Sequence, residues 1–132
     1  MAIENAGTSA SARAENHGVI FAALRKLLKI YEPELAIRID RPGNCYLETR
    51  SAGMSGRHLL FAGAKVKKNY VSFYLPALYM FPDLFDKISA PLKETMQGQS
   101  CFNLTRSNQE WFEELGRLTQ AGFQKFKGES LL

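Results

Sequence analysis

Arg38 and Asp40, then Tyr46, Glu48 and Arg50, then Tyr70, Ser72 and Tyr74 recur at every second position in three separate stretches of the chain. Alternate residues of a β-strand share one face, so each set can stand on the same side of a sheet. Tyrosine combines an apolar ring with a hydroxyl that needs water or a partner, which suits a surface built for recognition. Arg38, Tyr46, Glu48, Tyr70, Ser72 and Tyr74 are therefore the candidate ligand- or partner-binding residues. Ala62 and Ala64 are expected to form a shallow floor between them. The partner could be a planar or polar small molecule, another protein, or a second copy of this chain. The competing reading is that Pro76–Pro82 folds back and covers this face.

A second chemistry uses the same rings. Lys65, Lys67 and Lys68 surround a predicted turn, and the first helix carries Arg25, Lys26 and Lys29. Bases stacked on Tyr70 and Tyr74, with phosphates held by these lysines, would make a single-stranded nucleic-acid site.

Catalytic constellations are missing. There is no P-loop, no dinucleotide-binding glycine pattern and no nucleophile elbow. Gly53-Met54-Ser55-Gly56 flanks a serine with glycines but lacks the required spacing, and reads as a flexible connection. His58 could act as a general base toward Tyr70 or Tyr74, or simply end a strand with its ring satisfied. Neither His17 nor His58 has a Cys, Asp or Glu at ligand spacing. Asp83 with Asp86, and Glu110 with Glu113 and Glu114, read as solvated helix surfaces. No catalytic residue, metal ligand or cofactor is assigned.

The elements that must position the tyrosines follow from periodicity. Leu35–Asp40 alternates with Leu35, Ile37 and Ile39 inward, and Pro42-Gly43-Asn44 marks a turn. Cys45–Arg50 alternates again, a glycine- and serine-rich loop spans Ser51–Gly56, and His58–Val66 and Asn69–Leu75 form a hairpin with Val71, Phe73 and Leu75 inward. Strands so closely connected form an antiparallel meander. Helices over His17–Tyr31 and Asn108–Lys127 present Ile20, Leu24, Leu27 and Tyr31, and Trp111, Leu115, Leu118, Gly122 and Phe126, at helical spacing. Ser107 and Glu110 match a capping box for the second helix. Short helices are expected at Asp83–Ile88, and at Pro91–Met96 with Ser89 as its cap. A strand over Ser100–Leu104 is expected at a sheet edge. The class is α+β: an antiparallel sheet of four to five strands packed against N- and C-terminal helices.

The 132 residues carry a formal net charge of +4, with a pI near 9.2. Residues 1–15, rich in Ala, Ser, Gly and Asn, read as a flexible tail, leaving 16–128 as a single domain. No run approaches the roughly 20 apolar residues of a membrane span, and the opening residues lack the apolar segment of a signal peptide. Cys45 and Cys101, each within a strand, read as reduced thiols of a cytoplasmic protein.

The run from Leu60 to Phe126 resembles the YdhG-like domains, a bacterial group largely without assigned function whose fold is akin to frataxin. The resemblance rests on Lys68-Asn69-Tyr70-Val71-Ser72-Phe73-Tyr74-Leu75, on Leu92-Lys93-Glu94-Thr95-Met96-Gln97-Gly98-Gln99-Ser100-Cys101-Phe102, and on the helix that follows. It implies a sheet packed on helices. It also implies a candidate role in iron delivery, which needs clustered carboxylates. The first helix is basic instead, so that role is not carried over.

Overall fold

The computed structural model describes residues 10–51 and 56–132, with side chains from Ala12 onward. Helix α1 (Ala10–Lys29) leads through a single 3-10 turn (Glu32–Glu34) to four strands: β1 (Ala36–Arg41), β2 (Asn44–Glu48), β3 (Leu60–Val66) and β4 (Val71–Tyr74). Three one-turn helices follow, α2 (Ala77–Met80), α3 (Pro82–Phe85) and α4 (Ala90–Lys93). Strands β5 (Met96–Gln97) and β6 (Cys101–Leu104) then return to the sheet, and α5 (Gln109–Gly128) completes the fold. All six strands join one antiparallel sheet in the order β1-β2-β3-β4-β6-β5. The architecture is α+β, as the periodicity predicts, with six strands instead of four or five. The added strand is β5, only two residues long. It moves β6 from the expected sheet edge into a position between β4 and β5.

Both long helices lie on one face of the sheet. Cys45, Leu47, Ala62, Ala64, Val71, Phe73, Phe102 and Leu104 point toward them and join one core with Ile20, Leu24, Leu28, Leu115 and Phe126. Phe61 is fully buried, with its ring centroid 5.5 Å from Tyr31, 5.7 Å from Phe123 and 5.3 Å from Phe126. Edge-to-face and tilted pairs at these separations add to the area term. Gly122 lets α5 approach α2, since a Cβ there would stand 2.9 Å from the Cβ of Ala77.

Two β-bulges alter the expected faces. In β1 the register slips between Ile37 and Ile39, so Arg38 is an extra residue and the alternation inverts beyond it. Asp40 consequently pairs across from Cys45 on the helix side, where Arg25 of α1 holds it at 2.9 Å and also reaches Glu32 at 2.8 Å. Ile39, expected to point inward, pairs instead with Tyr46 on the other face, while Ile37 stays opposite Leu47 but is 51% exposed on this edge strand. In β3 the slip between Leu47 and Glu48 makes Phe61 the extra residue. Phe61 and Ala62 therefore both reach the core.

Other boundaries shift modestly. Helix α1 begins at Ala10 instead of near His17 and takes in the last residues of the expected tail; residues 1–9 lie outside the described residues. Asn108, not Ser107, caps α5, its side chain accepting from the Trp111 amide at 3.2 Å. Ser89 caps α4 as expected. Gly98, with φ of 75°, makes the left-handed turn between β5 and β6. Residues 52–55, most of the glycine-serine loop, lie outside the described residues.

Candidate functional site

The face of the sheet opposite the helices carries two cross-strand rows. Directly paired residues share a face. Tyr46, Gly63, Tyr74, Cys101 and Gln97 form the first row, and Asn44, Lys65, Ser72 and Asn103 the second. At the centre stands Gly63. A Cβ there would overlap the Cδ1 and Cε1 atoms of Tyr46, so only glycine leaves room for the ring to lean across β3. Tyr46 thereby meets Tyr74 from the strand beyond, with ring centroids 5.8 Å apart and planes 25° from parallel. The floor of this face is Gly63 and not Ala62 and Ala64. Those two alanines are fully buried against the helices, on the other side of the sheet.

Electrostatics keep the surface neutral at its centre and basic at its rim. Burial, reinforced by the neighbouring Tyr74 phenol, pushes the Tyr46 hydroxyl up to about 12. The nearby Tyr74 phenol raises the ammonium of Lys67. Burial also raises the Cys101 thiol, outweighing the opposing influence of the Ser72 hydroxyl. In the second row, Ser72 Oγ donates to Asn103 Oδ1 at 2.7 Å, Asn103 Nδ2 donates to Gln97 Oε1 at 3.0 Å, and Cys101 Sγ lies 3.3 Å from Asn103 Oδ1. Asn44 Oδ1 is buried without a hydrogen-bond partner. Arg38 and Glu48 pair at 3.1 Å beside the tyrosines.

Of the six residues predicted for this face, Arg38, Tyr46, Glu48, Ser72 and Tyr74 are brought together. Tyr70, half-buried, directly precedes β4 and closes the turn by accepting the Lys67 amide at its carbonyl. Lys65 and Lys67 adjoin the face, whereas Lys68 belongs to a separate cleft with α1. Asp40 is withdrawn by the β1 bulge. Arg50 donates to the carbonyl of Leu35 at 3.3 Å. His58 is occupied by the Thr49 carbonyl, 2.7 Å from Nδ1, at the opposite end of the hairpin from Tyr70. Gly63, Cys101, Asn103 and Gln97 join the face without having been expected there. An isolated glycine inside a strand does signal close approach, and correct placement of β6 would have brought in the rest.

The segment Pro76–Pro82 does not cover this face. Ala77 and Leu78 are buried in the core, α2 packs on α5, and Tyr79 is 69% exposed. Cys45 and Cys101 are both free and lie on opposite sides of the sheet, as their strand partners show. Among the described residues no three His, Cys, Asp or Glu side chains gather as a metal site, and no helix is long and apolar enough to cross a membrane. Comparison of the chain with family models, with curated proteins and with solved structures gives no match.

Proposed function

We propose that this chain is a non-enzymatic binding module whose site is the tyrosine-bearing sheet face, taking a small planar ligand or a protein segment. The observation that carries the reading is the Tyr46–Tyr74 pair over Gly63. A covered sheet face would be expected to carry purely apolar side chains at these positions, as the paired rows on the helix side do. Instead it holds two phenols beside the amides of Asn103 and Gln97 and the thiol of Cys101, around a buried Ser72. No activated nucleophile stands among them: the Cys101 thiol is held protonated and His58 is engaged elsewhere.

The test is to screen planar aromatic fragments against the isotope-labelled chain by nuclear magnetic resonance. Shifts should map to Tyr46, Gly63, Tyr74 and Cys101 and vanish in Tyr74→Ala. Hits that map only to the helix side would overturn the reading.

A second reading is favoured by Lys67, whose ammonium is raised by the nearby Tyr74 phenol, so that a cation stands near the stacking surface. With Lys65 in the adjoining row, single-stranded nucleic acid is the alternative ligand. Retardation of a single-stranded oligonucleotide at low salt, weakening steeply as salt rises, would support it. Absence of binding at micromolar protein would dismiss it.

A further inference from the structure

On the helix side of the β3–β4 turn, a cleft of about 440 Å³ opens between α1 and the hairpin, lined by Arg13, Ala14, His17, Gly18, Val66 and Lys68. Arg13 and His17 are four residues apart and so share one face of α1. Lys68 reaches the cleft from the turn. The start of α1 is held against the sheet by Asn16, whose Nδ2 donates to the Thr105 carbonyl at 2.9 Å just past β6. His17 is only 6% exposed and lines the cleft between Arg13 and Lys68. Among the described residues neither Arg13 nor Lys68 enters an ion pair and no carboxylate lines the cleft. A side chain added at Gly18 would meet nothing within 4 Å, so the mouth is open.

We propose that this cleft binds a phosphate group, with Arg13 and Lys68 supplying charge and His17 a ring N–H. Every polar side chain that lines it can donate, and two carry fixed positive charge, so the complementary ligand is an anion with several acceptor oxygens. The volume falls within the range of small-molecule sites and admits more than a bare phosphate. The phosphate can be the terminal group of a small phosphomonoester or a diester of a nucleic-acid backbone. The site is independent of the tyrosine face, which lies across the sheet.

The experiment titrates the full chain by calorimetry with inorganic phosphate, adenosine monophosphate and a single-stranded oligonucleotide in turn. Arg13→Ala, His17→Gln and Lys68→Ala should each weaken binding roughly tenfold or more, while Lys127→Ala, which removes one exposed charge from the last turn of α5, should leave it unchanged. Binding of phosphate or adenosine monophosphate with this pattern identifies a monoester site. Binding of the oligonucleotide alone, with the same pattern, identifies a backbone contact. No binding of any probe, or equal loss in Lys127→Ala, overturns the proposal. Arg13 and Lys68 are exposed, so their variants remain informative even if His17→Gln is poorly folded.

Discussion

Tyr46 and Tyr74 stand on strands separated by β3, yet their rings meet across the backbone of Gly63 with centroids 5.8 Å apart. The contact exists because the intervening position has no side chain. Replacing Gly63 by alanine forces the Tyr46 ring off the strand. A loss of about 1–3 kcal/mol in stability is expected, as for other overpacked sites. The displaced phenol should also titrate closer to its ordinary value. Chemical denaturation and the ultraviolet signal of tyrosinate measure the two effects separately, and an unchanged titration in a folded Gly63→Ala protein would contradict the geometry.

Alkaline pH provides a second test. Tyr46 is raised from 10.0 to about 12, so the folded state holds its proton more tightly than the unfolded chain does. The corresponding stability is complete below pH 10.0 and is lost as pH rises through about 12. Tyr46→Phe should flatten that decline. Tyr31, also raised by burial, preserves part of it. Denaturant midpoints recorded on either side of pH 10.0 in both proteins decide the matter.

Phe61 is the extra residue of the β3 bulge and touches Tyr31, Phe123 and Phe126. Phe61→Ala leaves a cavity among rings from α1's end, β3 and α5, and should cost about 3–5 kcal/mol. Against a total stability of about 5–15 kcal/mol for a typical domain, that one truncation removes a large share of what holds the fold. Urea unfolding with an unaltered slope would show that the loss is one of packing.

The two thiols should differ in reactivity. Cys45 is 5% exposed beneath the helices, whereas Cys101 is half-buried on the opposite face. Under native conditions an alkylating reagent should modify Cys101 first, and slowly, because burial holds the thiol protonated. Mass spectrometry of digests after graded exposure reports the order. Faster modification of Cys45 would place the accessible face on the wrong side of the sheet.

Much of this arrangement is legible in the residues. The strict alternation of Cys45–Thr49 and Val71–Leu75, and the helical stripes that include Ile20, Leu24, Leu115 and Phe126, each assign a face, and the structure keeps them. Failures occur where the backbone leaves its regular period. Nothing in Leu35–Asp40 announces that Arg38 will bulge, so Asp40 reads as outward when Arg25 in fact draws it toward α1. Phe61 and Ala62 read as opposite faces, yet the extra residue turns both inward and moves the expected floor to Gly63. Strand β5 is invisible in the sequence because two residues are too few to show a period. The buried imidazole of His17 is equally hidden, since its surroundings come from a turn far away along the chain.

Placing both long helices on the same side makes the sheet a partition between two jobs. Substitutions behind it bear on whether the chain folds, and those in front bear on what it meets. The front can therefore accept new side chains at little structural cost away from buried Ser72 and Asn44 and from Gly63, where the two requirements share a single atom's worth of space.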